Sequence, residues 1–122
     1  MAKKILVTED SATMRALISS TLQALGDFEI VEAANGFEAL RMLPREKFDL
    51  VITDINMPDI NGLELVSFIK KNEQYSGIPL FIVSTEGSER DKEKGMSLGA
   101  DAYLVKPFSP TQLQELVRQY LG

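Results

Sequence analysis

Five short runs of branched apolar residues, each parted from the next by a segment of helical period, constrain this chain more than any other feature of its sequence. Ile5-Leu6-Val7 lies within Lys4–Glu9, Ile30-Val31 within Phe28–Ala33, and Leu50-Val51-Ile52 within Phe48–Asp54; further runs fill Leu80–Ser84 and Asp101–Lys106. Such runs, apolar on both faces, suit strands buried on both sides of a parallel sheet. Phe28–Ala33 interleaves Glu29 and Glu32 and reads as an edge strand.

The intervening segments carry helical stripes. Met14, Leu17, Ile18, Leu22 and Leu25 share one face, with Gly26 as the stop. Phe37, Leu40 and Leu43 mark a short helix ended by Pro44, and Asn61-Gly62-Leu63-Glu64 opens a third before Leu65, Val66 and Ile69. Leu113, Leu116, Val117, Tyr120 and Leu121 form the last stripe. Ser109-Pro110-Thr111-Gln112 opens it with a cap residue, a proline at the first helical position and a capping-box glutamine. Ser88–Leu98 is the weakest helix, almost all charge, and its interior Gly95 costs about 1 kcal/mol against alanine. Met14, Met57 and Met96 read as packing residues, and Glu89–Lys94 as a solvated helix face.

Strand and helix alternating five times predict a doubly wound α/β domain, with helices on both faces of a parallel sheet. The length of 122 residues admits one domain, expected over residues 1–122. There is no cysteine and no histidine. That removes disulfides, thiolate catalysis, the commonest general base and any phosphohistidine carried by this chain. A net charge of −5 argues against direct binding to a nucleic-acid backbone or an anionic membrane. The longest apolar run is four residues, so neither a membrane span nor a signal segment is expected, and the sequence reads as cytoplasmic.

In such sheets ligands gather at the carboxyl ends of the strands. Here the first strand ends in Glu9-Asp10, the third in Asp54, the fourth in Ser84-Thr85 and the fifth in Lys106-Pro107-Phe108. Three carboxylates at one edge are costly: at ~5 Å and an effective dielectric of ~20, each like-charged pair repels by roughly 3 kcal/mol. One lysine cannot offset three such pairs. Either a carboxyl protonates or a divalent cation binds, and an all-oxygen ligand set suits Mg2+. A carboxylate beside Mg2+ and a lysine can act as nucleophile toward a phosphoryl group.

With these residues in place, the chain resembles the receiver domain of two-component response regulators, most closely the stand-alone chemotaxis type. The resemblance spans the whole chain. It rests on Glu9-Asp10-Ser11, on Asp54-Ile55-Asn56-Met57-Pro58-Asp59-Ile60-Asn61-Gly62, on Ser84-Thr85-Glu86, and on the block from Gly99 to Phe108. It implies a flavodoxin-like sheet of order 2-1-3-4-5. Carried over by position, it implies Asp54 as phosphoacceptor and Mg2+ held by the Asp10 and Asp54 side chains, the Asn56 backbone carbonyl and, through water, Glu9. Ser84 and Lys106 would receive the phosphoryl oxygens, Tyr103 falls at the aromatic switch position, and Lys106-Pro107 would be a cis peptide. Asn56 and Glu86 would flank the path of the water that removes the phosphoryl group.

The implied partners are a sensor histidine kinase as donor and a downstream effector protein. The effector would dock on the face formed by Ser88–Leu98, the fifth strand and the last helix. The protein is expected to be a monomer and no enzyme beyond its own phosphotransfer and dephosphorylation. Glu-Asp stands where Asp-Asp is common in the family, a tolerated variant. A complete single-domain regulator and a piece of a longer one both remain open, with the Met1-Ala2-Lys3 lead favouring a natural start. Two alternatives stand beside this reading: a receiver scaffold working without phosphorylation, and a Mg2+-dependent phosphohydrolase, which would need an acid where Asn56 stands.

Overall fold

The computed structural model describes residues 2–57 and 59–122; Met1 and Pro58, the latter inside the block after Asp54, lie outside the described residues. Five strands, β1 (Lys3–Thr8), β2 (Phe28–Ala33), β3 (Leu50–Thr53), β4 (Leu80–Ser84) and β5 (Ala102–Val105), alternate with five helices. The helices are α1 (Ala12–Leu25), α2 (Gly36–Met42), α3 (Gly62–Lys71), α4 (Glu89–Ser97) and α5 (Pro110–Leu121). All strands pair in parallel, in the order β2-β1-β3-β4-β5. The expected fold class and strand order therefore hold, and Phe28–Ala33 is an edge strand.

Period-two alternation divides the core between the two faces of the sheet. Leu6, Val51, Leu80 and Ile82 pack with Leu65, Val66 and Ile69 of α3 on one side. Ile5, Val7, Leu50, Ile52, Phe81 and Val83 meet Ile18 and Leu22 of α1 and Leu113 and Val117 of α5 on the other. Each helix starts on a side-chain cap. Ser11, Asn35, Asn61 and Ser88 cap the first four. At α5, Ser109 and Gln112 form the reciprocal capping box that the sequence announced.

Three apolar positions depart from expectation. Leu17 and Phe37 are 45% and 52% exposed, because each sits beside the stripe that its helix turns inward. Met96 is 43% exposed and is no packing residue. In α4 the packing position belongs instead to Gly95, where a Cβ would stand 2.7 Å from Ile82 Cδ1 and 3.3 Å from the Tyr103 ring. The glycine that lowers the helical propensity of α4 is what lets that helix sit down on the sheet.

Asp101 ties the base of β4 to α3. Its Oδ2 accepts from the Leu80 N–H at 2.8 Å and from Lys70 Nζ at 3.1 Å. Lys70 is 12% exposed and also donates to the Ile78 carbonyl at 2.7 Å. Asp101→Ala leaves a part-buried N–H and a part-buried ammonium short of their partner, so we expect about 2 kcal/mol of destabilisation, read as a lower urea midpoint. No helix among the described residues is long and apolar enough to cross a membrane.

Candidate functional site

The parallel ladder delivers three of the charged residues to one edge. Asp54 N–H donates to the Thr8 carbonyl at 3.1 Å, Glu9 N–H to Ala33 at 3.0 Å and Lys106 N–H to Ser84 at 2.8 Å. Each residue therefore stands one step beyond its strand, held by the last rung of its neighbour's ladder. The Lys106-Pro107 peptide is cis.

Lys106 Nζ lies 2.7 Å from Glu9 Oε2 and 3.2 Å from Asp54 Oδ2, and the three side chains are at most 10% exposed. Burial works against the ammonium, yet the two carboxylates outweigh it and hold the Lys106 pKa above the usual lysine value. Burial pushes the Glu9 carboxyl above the ordinary range, against the pull of Lys106 and with the Asp54 charge adding to the rise. Asp10, in contrast, is exposed. The crowding of three acids is thus eased in two ways: two of them share a buried cation, and the third faces water.

The cluster also has the donor set of a hard-cation site. Glu9, Asp10 and Asp54 each offer a carboxylate oxygen, and these oxygens lie within 4.8 Å of one another. Three oxygen donors, one of them open to solvent, fit a cation such as Mg2+ that keeps part of its water shell. Asp54 is further oriented by the protein: its Oδ1 accepts from the Ile55 N–H at 2.7 Å and the Asn56 N–H at 3.4 Å.

The remaining candidates gather around Glu86. Asn56 Nδ2 donates to Glu86 Oε1 at 3.1 Å, joining the loop after β3 to the loop after β4. Glu86 N–H donates to Ser84 Oγ at 3.1 Å, and the Tyr103 hydroxyl donates to the Glu86 carbonyl. Burial raises the Tyr103 pKa. Ser84, fully buried, therefore faces its own loop and makes no hydrogen bond to Asp54. The structure brings Glu9, Asp10, Asp54 and Lys106 into one cluster and links Asn56, Ser84 and Tyr103 to one another through Glu86.

Two residues of this edge were given no role at the site from the sequence, although Gly62 was named there as part of a helix opening and of the block after Asp54. Arg15 Nη1 donates to the Glu9 carbonyl at 2.7 Å, a contact no local pattern announces. Gly62 carries a clearer signal, as a glycine inside the block that follows Asp54. A Cβ there would lie 1.9 Å from the Asp54 carbonyl oxygen and 2.6 Å from Ile55 Cα.

The doubly wound sheet carries an acidic cluster and a buried lysine at the carboxyl ends of its strands, and the pattern of the response regulator receiver domain, a signalling domain, matches residues 5–118. The chain belongs to that family, and its function is phosphorelay signal transduction in two-component signalling. A chemotaxis protein CheY homolog of Campylobacter jejuni is 41% identical over 120 residues, which cover 98% of this chain and 92% of that protein. The structure of the chemotaxis response regulator CheY4 of Vibrio cholerae superimposes with a TM-score of 0.90 at 36% identity, over 98% of this chain and 99% of the other. The receiver domain of the sensor histidine kinase PA1611 of Pseudomonas aeruginosa, which has a magnesium ion coordinated in its active-site cleft, gives 0.90 at 25% identity, covering 100% and 99%.

Proposed function

We propose that Asp54 is the phosphoacceptor of this receiver, that Mg2+ assists it, and that a histidine kinase is the donor. The observation that carries this reading is the buried Asp54 carboxylate, oriented by two backbone N–H groups and paired with Lys106 beside the Glu9-Asp10 pair. An Asp54 oxygen attacks the phosphorus of a phosphohistidine; the O–P bond forms, the N–P bond breaks, and the imidazole leaves with the bonding electron pair and takes a proton. The chain has no histidine and no nucleotide-binding loop, so it carries no phosphohistidine of its own.

Asp10 and Asp54 would hold Mg2+ by their carboxylates and Asn56 by its backbone carbonyl. Glu9, buried against Lys106, would act at one remove through water. The ion would offset phosphoryl charge, and the Pseudomonas relative has a magnesium ion coordinated in its active-site cleft. Lys106 would transfer its Nζ contact from Asp54 to a phosphoryl oxygen. Ser84 Oγ accepts from the Glu86 N–H, and its own hydroxyl would donate to a phosphoryl oxygen. Drawing Ser84 toward the phosphoryl group would pull Glu86 with it and break the hydroxyl contact of Tyr103. That couples the acceptor to α4, β5 and α5, the face on which an effector protein would dock. The protein would work in the cytoplasm as a monomer, without binding nucleic acid directly, and would catalyse only its own phosphorylation and reset.

Incubation with acetyl phosphate and Mg2+ should add one acid-stable, base-labile phosphoryl group per chain, seen by mass spectrometry. Steady phosphate release from generic monoesters with no retained label would make the protein a hydrolase instead. The reset should depend on Glu86, which with Asn56 flanks the path of an in-line water. Glu86→Leu removes the polar group and frees Asn56 from its partner, and should slow phosphoryl loss about 5- to 30-fold, a barrier change of roughly 1 to 2 kcal/mol. Loss of label after donor removal, at constant Mg2+, gives the rate; an unchanged rate would place the control of water elsewhere.

A further inference from the structure

Arg15, in the first turn of α1, reaches back over the start of the helix to the strand edge. Its Nη1 donates to the Glu9 backbone carbonyl at 2.7 Å, while its Nε lies 3.8 Å from Glu32 Oε1 at the end of β2. The other Glu32 oxygen accepts from Ser19 Oγ at 2.6 Å, so the acid facing Arg15 is itself held in place. The Arg15 side chain is 20% exposed.

These contacts pin the backbone of Glu9 on both sides. Its N–H is taken by the Ala33 carbonyl at 3.0 Å, and its carbonyl by the guanidinium. The peptide so held joins Glu9, whose side chain runs inward to Lys106, to Asp10, whose side chain is exposed. Two adjacent carboxylates contribute oxygens to the same cluster only while that peptide keeps its orientation. A planar fork can serve a carbonyl and a carboxylate together, which a single ammonium cannot do with the same geometry.

We propose that Arg15 is a positioning residue of the cation site: by clamping the Glu9 carbonyl it sets where the Asp10 carboxylate stands, and with it the affinity for Mg2+. This rests on the reading of the acidic cluster as a Mg2+ site. Two effects of removing Arg15 oppose each other. Loss of a nearby positive charge would tighten cation binding, but Glu32, 3.8 Å from the Arg15 Nε, already offsets part of that charge. Loss of an outer partner that orients a ligand weakens binding by 10- to 100-fold in metal sites generally. Orientation wins, and the net change is a weakening.

The test is a Mg2+ titration of the wild-type chain, Arg15→Ala and Arg15→Lys, followed by backbone amide shifts, with Asp10→Asn marking the loss of a direct ligand. Arg15→Ala should raise the half-saturating Mg2+ concentration about tenfold, with partial recovery in Arg15→Lys. The rate of labelling by acetyl phosphate should return to the wild-type value once Mg2+ saturates. Half-saturation within twofold of wild type, or tighter, overturns the proposal, as does a labelling defect that excess Mg2+ does not repair. If the wild-type chain shows no saturable Mg2+ binding, the metal site itself fails, a result distinct from a wild type and variant that bind alike.

Discussion

Asp54→Asn should reduce phosphoryl labelling to background while the protein stays folded. Asparagine keeps the shape of the side chain and the Oδ1 that accepts from the Ile55 and Asn56 N–H groups, so the loop has no reason to rearrange. What it lacks is the carboxylate oxygen that attacks phosphorus, since an amide nitrogen whose lone pair is delocalised does not form the acyl phosphate. Two changes in stability oppose one another: Lys106 loses its 3.2 Å contact with Asp54, and Glu9 is relieved of a neighbouring negative charge. Lys106 keeps Glu9 at 2.7 Å, so we expect the unfolding free energy to shift by no more than about 1 to 2 kcal/mol. Intact mass and an unfolding curve on the same sample check both halves. A variant that still gains the full phosphoryl mass would move the acceptor to another residue, with Asp10 the first to examine.

The parts of the molecule readable in advance are those written in neighbouring residues. The five apolar runs and their helical partners are local patterns, and they determine the class of fold once right-handed crossovers are required. The cap of α5 was legible because Ser109 and Gln112 satisfy one another within a single turn. The arrival of Glu9, Asp54 and Lys106 at one edge also follows from local reading, because a parallel sheet puts the ends of its strands together. The strand order came from the likeness to a known family, since periodicity says nothing about which strands are neighbours.

Orientation was less readable. The bond from Lys106 to Glu9 joins residues 97 apart in sequence, and its length depends on the stagger of strands that are not neighbours. Ser84 was expected to move to a phosphoryl oxygen; in this structure its hydroxyl accepts from the Glu86 N–H, a turn contact that no apolar pattern announces. Leu17 and Phe37 show the limit of stripe counting: an apolar residue beside the stripe differs little in sequence from one within it. Gly95 shows the opposite error. Propensity scores it as a cost, whereas the close seat of α4 on Ile82 and Tyr103 makes it a requirement.

Gly62→Ala should damage both the fold and the site, because Gly62 is where α3 begins and where the loop bearing Asp54 is braced. The Gly62 N–H donates to the Ile55 carbonyl at 2.8 Å, drawing the helix start against the Asp54–Ile55 peptide. An added methyl would meet the Asp54 carbonyl oxygen at 1.9 Å, Ile55 Cα at 2.6 Å and the Asp54 carbonyl carbon at 2.7 Å. All three are backbone atoms just beyond the end of a fully buried strand, so no side chain can swing aside to make room. Helix and loop must separate by more than an ångström, and overpacking of that kind costs about 3 kcal/mol. The same shift moves the Ile55 N–H that holds Asp54 Oδ1, and a misplacement of about 1 Å can slow a reaction roughly 100-fold. We therefore expect a urea midpoint well below wild type and labelling by acetyl phosphate slowed by about two orders of magnitude, even where the variant remains folded. Gly77→Ala is the control, since a Cβ there meets nothing within 4 Å and should change stability by less than about 1 kcal/mol. Equal midpoints and labelling rates for the two variants would show that the close approach at Gly62 neither braces the fold nor aims the acceptor.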